Sequence, residues 1–131
     1  MIREAKCCCG ACSISVDGEP VLNGVCHCDN CRRRTGSAFG WSAYFLNSQV
    51  RGIGGDLRIY AILPEVSENP GRRWFCAGCG TTLYWRTESF ADRVGVAGGC
   101  FTASPLEAPA LSQWDPRRCP WLDLNGDWIR Y

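Results

Sequence analysis

Two short stretches, Cys7-Cys8-Cys9-Gly10 and Cys76-Ala77-Gly78-Cys79-Gly80, decide the fold of this chain. In an extended strand alternate side chains share a face, so the first and third cysteines of the first stretch point to the same side. In the second stretch the glycines permit a tight turn that aims both cysteine sulfurs at one point. These spacings are typical of structural zinc, which is bound by a closed tetrahedron of ligands. The sequence therefore predicts one structural zinc site, made by Cys7, Cys9, Cys76 and Cys79.

This four-cysteine site would join two parts of the chain that are far apart in sequence. Apparent zinc-binding free energies of about 10–16 kcal/mol rival the net stability of a whole domain, which is about 5–15 kcal/mol. We therefore expect the protein to unfold when this metal is lost. The alternative, buried reduced cysteines without a metal, requires two ligand-spaced pairs to arise by coincidence.

A third cluster, Cys26-His27-Cys28-Asp29-Asn30-Cys31, has a different form. Its three cysteines can converge on one metal, but no fourth protein ligand is evident nearby. Three protein ligands and an open position are typical of catalytic zinc. In the alternative interpretation, Cys100 or Cys119 supplies a fourth thiolate and closes a second structural site. The favoured prediction is a second zinc with an open position, and hence two zinc ions per chain, the second held by Cys26, Cys28 and Cys31.

The other cysteines and the single histidine are not expected to bind metal. His27 lies between two ligands and should project to the opposite face, as a surface group or a neighbour of the ligands. The odd total of eleven cysteines also argues against a complete disulfide framework. We interpret the remaining cysteines as small buried hydrophobic residues: Cys8, Cys12, Cys100 and Cys119.

Alternation of apolar and polar residues recurs along the chain and predicts a mainly β fold. Glycine and proline punctuate the alternating segments, as expected for short antiparallel strands joined by turns and irregular loops. The best helical segment is short, from about Asp29 to Arg34, and ends near Gly36. The predicted strands are 13–16, 41–45, 57–61, 82–86 and 93–96.

Length and composition exclude several classes of function. At 131 residues the chain is most simply one domain, residues 1–131, with its motifs in about 5–100 and an irregular tail at 105–131 that packs on the sheets. The formal net charge of +1 argues against a nucleic-acid-binding protein. No apolar stretch approaches the roughly 20 residues needed to span a bilayer, and no signal-peptide pattern is present. We therefore expect a soluble cytoplasmic protein with reduced cysteines, whose oligomeric state the sequence leaves open.

The cysteine motifs and their neighbours form a series: Cys7-x-Cys9-Gly10-Ala11, Cys26-His27-Cys28-x-x-Cys31-Arg32, Thr35-Gly36-Ser37-Ala38-Phe39 and Phe75-Cys76-x-x-Cys79-Gly80-Thr81. With these motifs in this order, the chain resembles the glutathione-dependent formaldehyde-activating enzyme family, which includes the centromere protein V domain. The resemblance implies a β-tent-like zinc fold, carbon–sulfur lyase activity, and glutathione and an aldehyde as small-molecule partners. It also implies a structural metal in the four-cysteine site and a catalytic metal at Cys26, Cys28 and Cys31.

Three segments depart from the family's usual pattern. Ala5-Lys6 stands where two glycines usually precede the first cysteine, and Gly99-Cys100-Phe101-Thr102 stands where a glycine is usually followed by an aspartate pair. The stretch Leu111-Ser112-Gln113-Trp114 lacks a histidine that family members often carry before an aromatic residue, although Pro120-Trp121 is retained. These departures leave the expected fold intact and bear on the reaction.

The leading hypothesis is a zinc-dependent carbon–sulfur lyase-like enzyme that acts on a glutathione–aldehyde adduct such as S-hydroxymethylglutathione. A zinc ion with an open position can polarise a carbonyl oxygen or hold a thiol as thiolate. Arg32 and Arg33, which adjoin the cysteine triplet together with Arg34, are candidates for binding the carboxylates of glutathione through their planar forks. The alternative is a non-catalytic, zinc-stabilised module that binds glutathione or a protein.

Overall fold

The computed structural model describes residues 1–131, which form eleven β-strands and one α-helix. The helix, α1, spans Asp29–Thr35. The prediction of a mainly β fold with little helix is confirmed. The strands are β1 (Ile2–Lys6), β2 (Ser13–Asp17), β3 (Leu22–Cys26), β4 (Gly40–Leu46), β5 (Val50–Gly54), β6 (Leu57–Ile62), β7 (Gly71–Cys76), β8 (Thr82–Thr87), β9 (Arg93–Ala97), β10 (Leu111–Gln113) and β11 (Ile129–Arg130).

The strands build two sheets. A three-stranded sheet has the order β1-β2-β5, and an eight-stranded sheet has the order β11-β10-β3-β4-β9-β8-β7-β6. All five predicted strands are present, as β2, β4, β6, β8 and β9. Neighbouring strands are antiparallel except that β10 runs parallel to both β3 and β11. These two parallel pairings were not predicted.

Side-chain alternation places an apolar core between the two sheets. In β2 every second residue points inward, and Ile14 and Val16 are fully buried. Phe45 of β4 and Val94 and Val96 of β9 are also fully buried and belong to the same apolar cluster. Burial of an aliphatic or aromatic side chain contributes about 1.5–3 kcal/mol. This shared cluster therefore holds the small sheet against the large one.

The helix α1 begins and ends close to its predicted bounds. Cys28 is its N-cap, because the Sγ atom accepts a hydrogen bond from the Cys31 N–H at 3.4 Å. Arginines 32–34 occupy the last turn, where positive charge complements the helix dipole. Gly36 then ends the helix in the left-handed conformation, with φ of 63°. No helix of the structure has the length and apolar character required to cross a membrane.

The C-terminal tail is more regular than the sequence predicted. Strand β10 pairs with β3, and this register sets Gln113 opposite Cys26. Strand β11 then pairs with the outer side of β10. The expectation of an irregular tail is therefore wrong over these two segments. The physical reason is that the free edge of β3 offers unpaired N–H and C=O groups, and β10 satisfies them.

Candidate metal centres and their cavity

The four-cysteine cluster brings the two ends of the motif series together. The Sγ atoms of Cys7, Cys9, Cys76 and Cys79 all lie within 4.8 Å of one another. Cys9 Sγ lies 3.6 Å from Cys7 Sγ and 3.7 Å from Cys76 Sγ. A zinc tetrahedron with Zn–S bonds of about 2.3 Å has sulfur–sulfur edges of about 3.8 Å. The spacing therefore fits a tetrahedral thiophilic metal such as zinc.

Two tight turns aim these cysteines. After β7, the Cys76 N–H donates to the Thr81 carbonyl at 3.0 Å, and the Gly80 N–H donates to the Cys76 carbonyl at 2.8 Å. The Gly78 N–H donates to Cys76 Sγ at 3.3 Å. Between β1 and β2, the Cys12 N–H donates to Cys7 Sγ at 3.2 Å. Backbone donors of this kind stabilise thiolate charge, so the turns support as well as position the sulfurs.

The thiols of this cluster differ in acidity. Hydrogen bonds from the Thr81 hydroxyl and from backbone N–H groups lower the pKa of Cys79 to about 5. The Ala11 N–H lowers the pKa of Cys9, but hydrogen bonds with three neighbouring thiols outweigh it and raise that pKa to about 12. A metal must displace the remaining protons, because thiolates are the ligands. Cys7 and Cys76 are buried, whereas Cys9 and Cys79 are exposed.

The three-cysteine cluster lies where β3 meets α1. Cys26 ends β3, Cys28 caps α1, and Cys31 follows within the first turns of the helix. Their Sγ atoms lie within 4.8 Å of one another, and all three side chains are partly buried. Neither Cys100 nor Cys119 belongs to this group, so the alternative of a distant fourth cysteine does not match the structure. We call Cys26, Cys28 and Cys31 the trio.

Hydrogen bonding within the trio favours one thiolate. Hydrogen bonds from the Cys26 and Cys31 side chains lower the pKa of Cys28 to about 2. Hydrogen bonds with Cys28 and Cys31 raise the pKa of Cys26. These hydrogen bonds favour a thiolate at Cys28, and the three-sulfur donor set fits a thiophilic cation such as zinc.

His27 takes no part in either cluster, as predicted, but the expectation that it could be a surface group is wrong. Its side chain is fully buried, and its Nε2 atom lies 3.0 Å from the Ser112 hydroxyl oxygen. Ser112 donates in turn to Asp115 Oδ1 at 2.7 Å. Arg130 donates to the same Asp115 oxygen at 2.8 Å. This hydrogen-bonded chain ties the loop of the trio to the C-terminal tail.

A cavity of about 580 Å³ opens beside the trio and includes all three of its cysteines in the wall. This volume lies in the range that binds small molecules, which is about 300–1,000 Å³. None of the four cysteines of the other cluster lines it. Its apolar wall includes Leu22, Tyr44, Trp85, Phe90, Leu111 and Trp114.

The cavity has a different set of arginines from the one the sequence suggested. Arg32 and Arg33 lie on α1 but do not line it, whereas Arg34 does. Arg34 follows Cys31 by three residues, so helical spacing could have selected it as the arginine on the face of the trio. Two further cavity arginines come from distant segments, and no sequence signal links them to the trio. They are Arg73 of β7 and Arg117 of the tail.

The interpretation of the remaining cysteines is correct in part. Cys12 and Cys119 are buried, and Cys100 is partly buried. Cys8 is exposed, so its interpretation as a buried residue is wrong. Its position follows from the turn that aims the neighbouring ligands, because the Cys8 N–H donates to Thr81 Oγ1 at 3.1 Å across the four-cysteine cluster.

Comparison with known proteins agrees with the motif series. The family described as glutathione-dependent formaldehyde-activating enzyme matches residues 2–118. The chain belongs to this family. No curated protein matches the chain significantly. A crystal structure of a Rhodobacter sphaeroides protein is similar in fold, with a TM-score of 0.59 and 24% identity over 76% of this chain and 87% of that chain.

One of this chain's departures from the pattern of the glutathione-dependent formaldehyde-activating enzyme family lies at the cavity. In the stretch where family members often carry a histidine, Gln113 precedes Trp114, and both residues line the cavity. The Gln113 carbonyl accepts a hydrogen bond from the His27 N–H at 3.0 Å. Trp114 is the only non-glycine residue with positive φ, at 53°. Such backbone strain is commonly found at functional sites.

Proposed function

We propose that this protein is a zinc-dependent carbon–sulfur lyase-like enzyme that acts on an adduct of glutathione and an aldehyde, such as S-hydroxymethylglutathione. The main support is the position of the trio, whose three cysteine side chains line a cavity large enough for a small substrate. Membership of the family supports the same class of reaction. We further propose that residues 1–131 act as one domain and that the enzyme works in the reducing cytoplasm.

In this proposal the two cysteine clusters have different roles. Cys7, Cys9, Cys76 and Cys79 hold a structural zinc, and the trio holds the catalytic zinc. The donor sets suit these roles, because closed four-thiolate sites are typical of structural zinc and three-ligand sites of catalytic zinc. When bound at the trio, zinc would supply an electrophilic centre that polarises a carbonyl oxygen and stabilises a thiolate.

The reaction needs no oxidant or reductant. In the forward direction a bond forms between the thiol sulfur and the carbonyl carbon, and the thiol proton moves to the carbonyl oxygen. The reverse direction breaks that bond and returns the proton to sulfur. The residues of the cavity wall must therefore orient the two partners, exclude water and stabilise the oxygen that gains or loses a proton.

Tyr44 is suited to stabilise that oxygen. The Trp85 Nε1–H can only donate, so the Tyr44 hydroxyl accepts this hydrogen bond, at 3.2 Å, and keeps its own proton free to donate. Burial raises the pKa of Tyr44, so the hydroxyl stays protonated at neutral pH. Tyr44 lines the cavity together with the trio. We assign it the role of hydrogen-bond donor to the aldehyde-derived oxygen.

A non-catalytic glutathione- or protein-binding module is the second candidate. It is favoured by Gln113, which cannot act as an acid or base where family members often carry a histidine. The chain's single histidine, His27, does not replace it, because it is fully buried and lies beside Ser112. This candidate predicts binding of glutathione without any increase in the rate of adduct formation.

The two candidates are separated by mixing the zinc-loaded protein with glutathione and formaldehyde and following the adduct by NMR exchange spectroscopy. We expect an exchange rate that rises in proportion to protein concentration. An exchange rate equal to the protein-free background, together with calorimetric binding of glutathione, would instead establish the binding module. Zinc analysis of the same sample should give two ions per chain.

A further inference from the structure

Two arginines of the cavity wall have no carboxylate partner, and Glu68 is the one acidic residue of the wall that forms no ion pair. Neither Arg34 nor Arg73 forms an ion pair. Arg73 donates a hydrogen bond to Asn30 Oδ1 at 2.8 Å, which leaves its other N–H groups available. The Arg34 guanidinium lies 4.4 Å from the centre of the Trp85 ring, and its Nη2 atom is buried without a hydrogen-bond partner. A buried donor in this state is costly unless a ligand satisfies it.

The third cavity arginine is different. Arg117 pairs with Asp29 at 3.3 Å, so a carboxylate of the protein already compensates its charge. Both members of that pair are more than half exposed, at 53% and 57%, and water screens them further. Arg34 and Arg73 are therefore the two cavity arginines that remain without a carboxylate partner.

The two guanidinium groups act on each other and on the trio. Burial is the main cause that lowers the pKa of Arg73, the charge of Arg34 lowers it further, and the charges of Cys31 and Cys28 oppose that shift. Two cations held near each other in a partly buried wall are stabilised by an anion placed between them. Arginine prefers carboxylate for this purpose, because its planar fork matches the two oxygens of that group.

The pair adjoins the trio. Arg34 lies on the same face of α1 as Cys31, three residues away. A Cβ atom placed on Gly40 of β4 would lie 2.5 Å from Arg34 Nη2 and 3.1 Å from Cys31 Cβ. The guanidinium and the cysteine therefore flank the same point of the strand, which has no side chain of its own to separate them.

We infer that Arg34 and Arg73 form a carboxylate subsite beside the trio, so that the cavity selects thiols and thiol adducts that carry a carboxylate near sulfur. This inference rests on the proposed function and specifies which thiols the site accepts. Glutathione satisfies the requirement, whereas cysteamine or an esterified glutathione does not. The competing role for the pair is to neutralise the thiolates of the trio, which would affect charged and neutral ligands alike.

Calorimetric titration tests the subsite without turnover. The probes are S-methylglutathione, whose thioether sulfur cannot form the adduct, and its dimethyl ester, which lacks both carboxylates. Charge-assisted hydrogen bonds contribute about 1.5–3 kcal/mol, which corresponds to a preference of about 10- to 100-fold for the acid over the ester. We expect the zinc-loaded wild-type protein to show that preference.

Arg73→Gln is the sharper variant, because Arg34→Gln also removes the contact with Trp85. Both variants should lower the acid-to-ester ratio to near one, while Arg73→Lys, which keeps the charge without the fork, should retain an intermediate ratio. Arg72→Gln on β7 is the matched control, because Arg72 is exposed and does not line the cavity. Each variant should keep two zinc ions, and every variant except Arg34→Gln should keep the wild-type melting temperature.

Several results would overturn the subsite. One is equal binding of acid and ester by the wild-type protein, and another is an unchanged ratio in both Arg34→Gln and Arg73→Gln. Equal weakening of both ligands in the variants would assign the pair to charge neutralisation instead. A wild-type preference for the acid without adduct formation would refute the proposed enzyme and leave the subsite standing. Adduct formation with equal rates for glutathione and its ester would refute the subsite and leave the proposed enzyme standing.

Discussion

The four-cysteine cluster and the trio use the same ligand atom in opposite surroundings. The first lies between turns that follow β1 and β7, and it receives backbone hydrogen bonds from Cys12 and Gly78. The second lies at the junction of β3 and α1 and faces a cavity of about 580 Å³ with unpaired arginines. The number of thiolates distinguishes the two only in part. Access to a cavity, with arginines nearby that lack a carboxylate partner, is the reason for proposing the trio as the site that receives a ligand.

The largest expected effect comes from breaking the four-cysteine cluster. Cys76→Ser removes a buried ligand of the proposed structural zinc, whose binding free energy of about 10–16 kcal/mol is comparable to the entire stability of a domain. We expect the variant to lose cooperative thermal unfolding, as measured by circular dichroism. Cys8→Ser is the control, because Cys8 is exposed and outside the cluster, and should change stability by less than about 0.5 kcal/mol. A folded Cys76→Ser variant with full zinc content would contradict the structural role.

Loss of a trio cysteine, in contrast, should abolish activity without unfolding the protein. Cys28→Ser removes one thiolate, yet serine is a favourable N-cap and can keep the cap of α1. We expect loss of one zinc per chain and a rate of adduct formation at background, with cooperative unfolding retained. The measurements are metal analysis, the NMR exchange assay and thermal unfolding of one preparation. Unfolding of this variant as complete as that of Cys76→Ser would erase the distinction between the two clusters.

Tyr44→Phe tests the proposed hydrogen-bond donor of the cavity beside the trio. Removal of one donor to a developing oxyanion lowers turnover by about 100- to 1,000-fold in known enzymes, and we expect a decrease of this order in kcat with both zinc ions retained. Tyr84→Phe is the matched control, since Tyr84 is buried against Trp74 and does not line the cavity. Equal kcat values for Tyr44→Phe and wild type would remove Tyr44 from the mechanism.

The smallest effect concerns the support of the trio. Ser112→Ala leaves the buried His27 Nε2 without its partner, which costs about 1–3 kcal/mol in the free energy of unfolding. Because this hydrogen bond braces the trio, we expect a chelator to remove zinc faster from the trio, with unchanged release from the four-cysteine cluster. Ser48→Ala, at an exposed position, should leave both release rates unaltered. Faster release from both clusters would show general destabilisation instead of local support.

Both cysteine clusters could be predicted because their cysteines come in tightly spaced groups, two pairs in the four-cysteine cluster and one triplet in the trio. The spacings of Cys7 with Cys9 and of Cys76 with Cys79 set the direction of each pair whatever surrounds it. The direction of His27, away from the trio, followed from the same alternation. Its burial did not, because it depends on β10, which reaches β3 from a segment 85 residues along the chain.

The cavity could not be predicted for a related reason. Arg73 and Tyr44 belong to strands that become neighbours of the trio only through the order of the large sheet. Alternation identified β4 as a strand but could not say that it would lie beside β3 and β9. Arg32 and Arg33 were named because they adjoin Cys31 in sequence, whereas helical spacing places Arg34 on the face of the trio and in the cavity wall. Non-local packing decides such neighbours, and one sequence holds little information about it.

The parallel strand β10 has a consequence for how this scaffold can change. It carries Leu111 and Gln113 into the cavity wall, and Trp114 and Arg117 follow directly after it. Neither cysteine cluster includes a residue from this part of the chain. Substitutions at these four positions could therefore change which molecules enter the cavity without removing any cysteine of the two clusters.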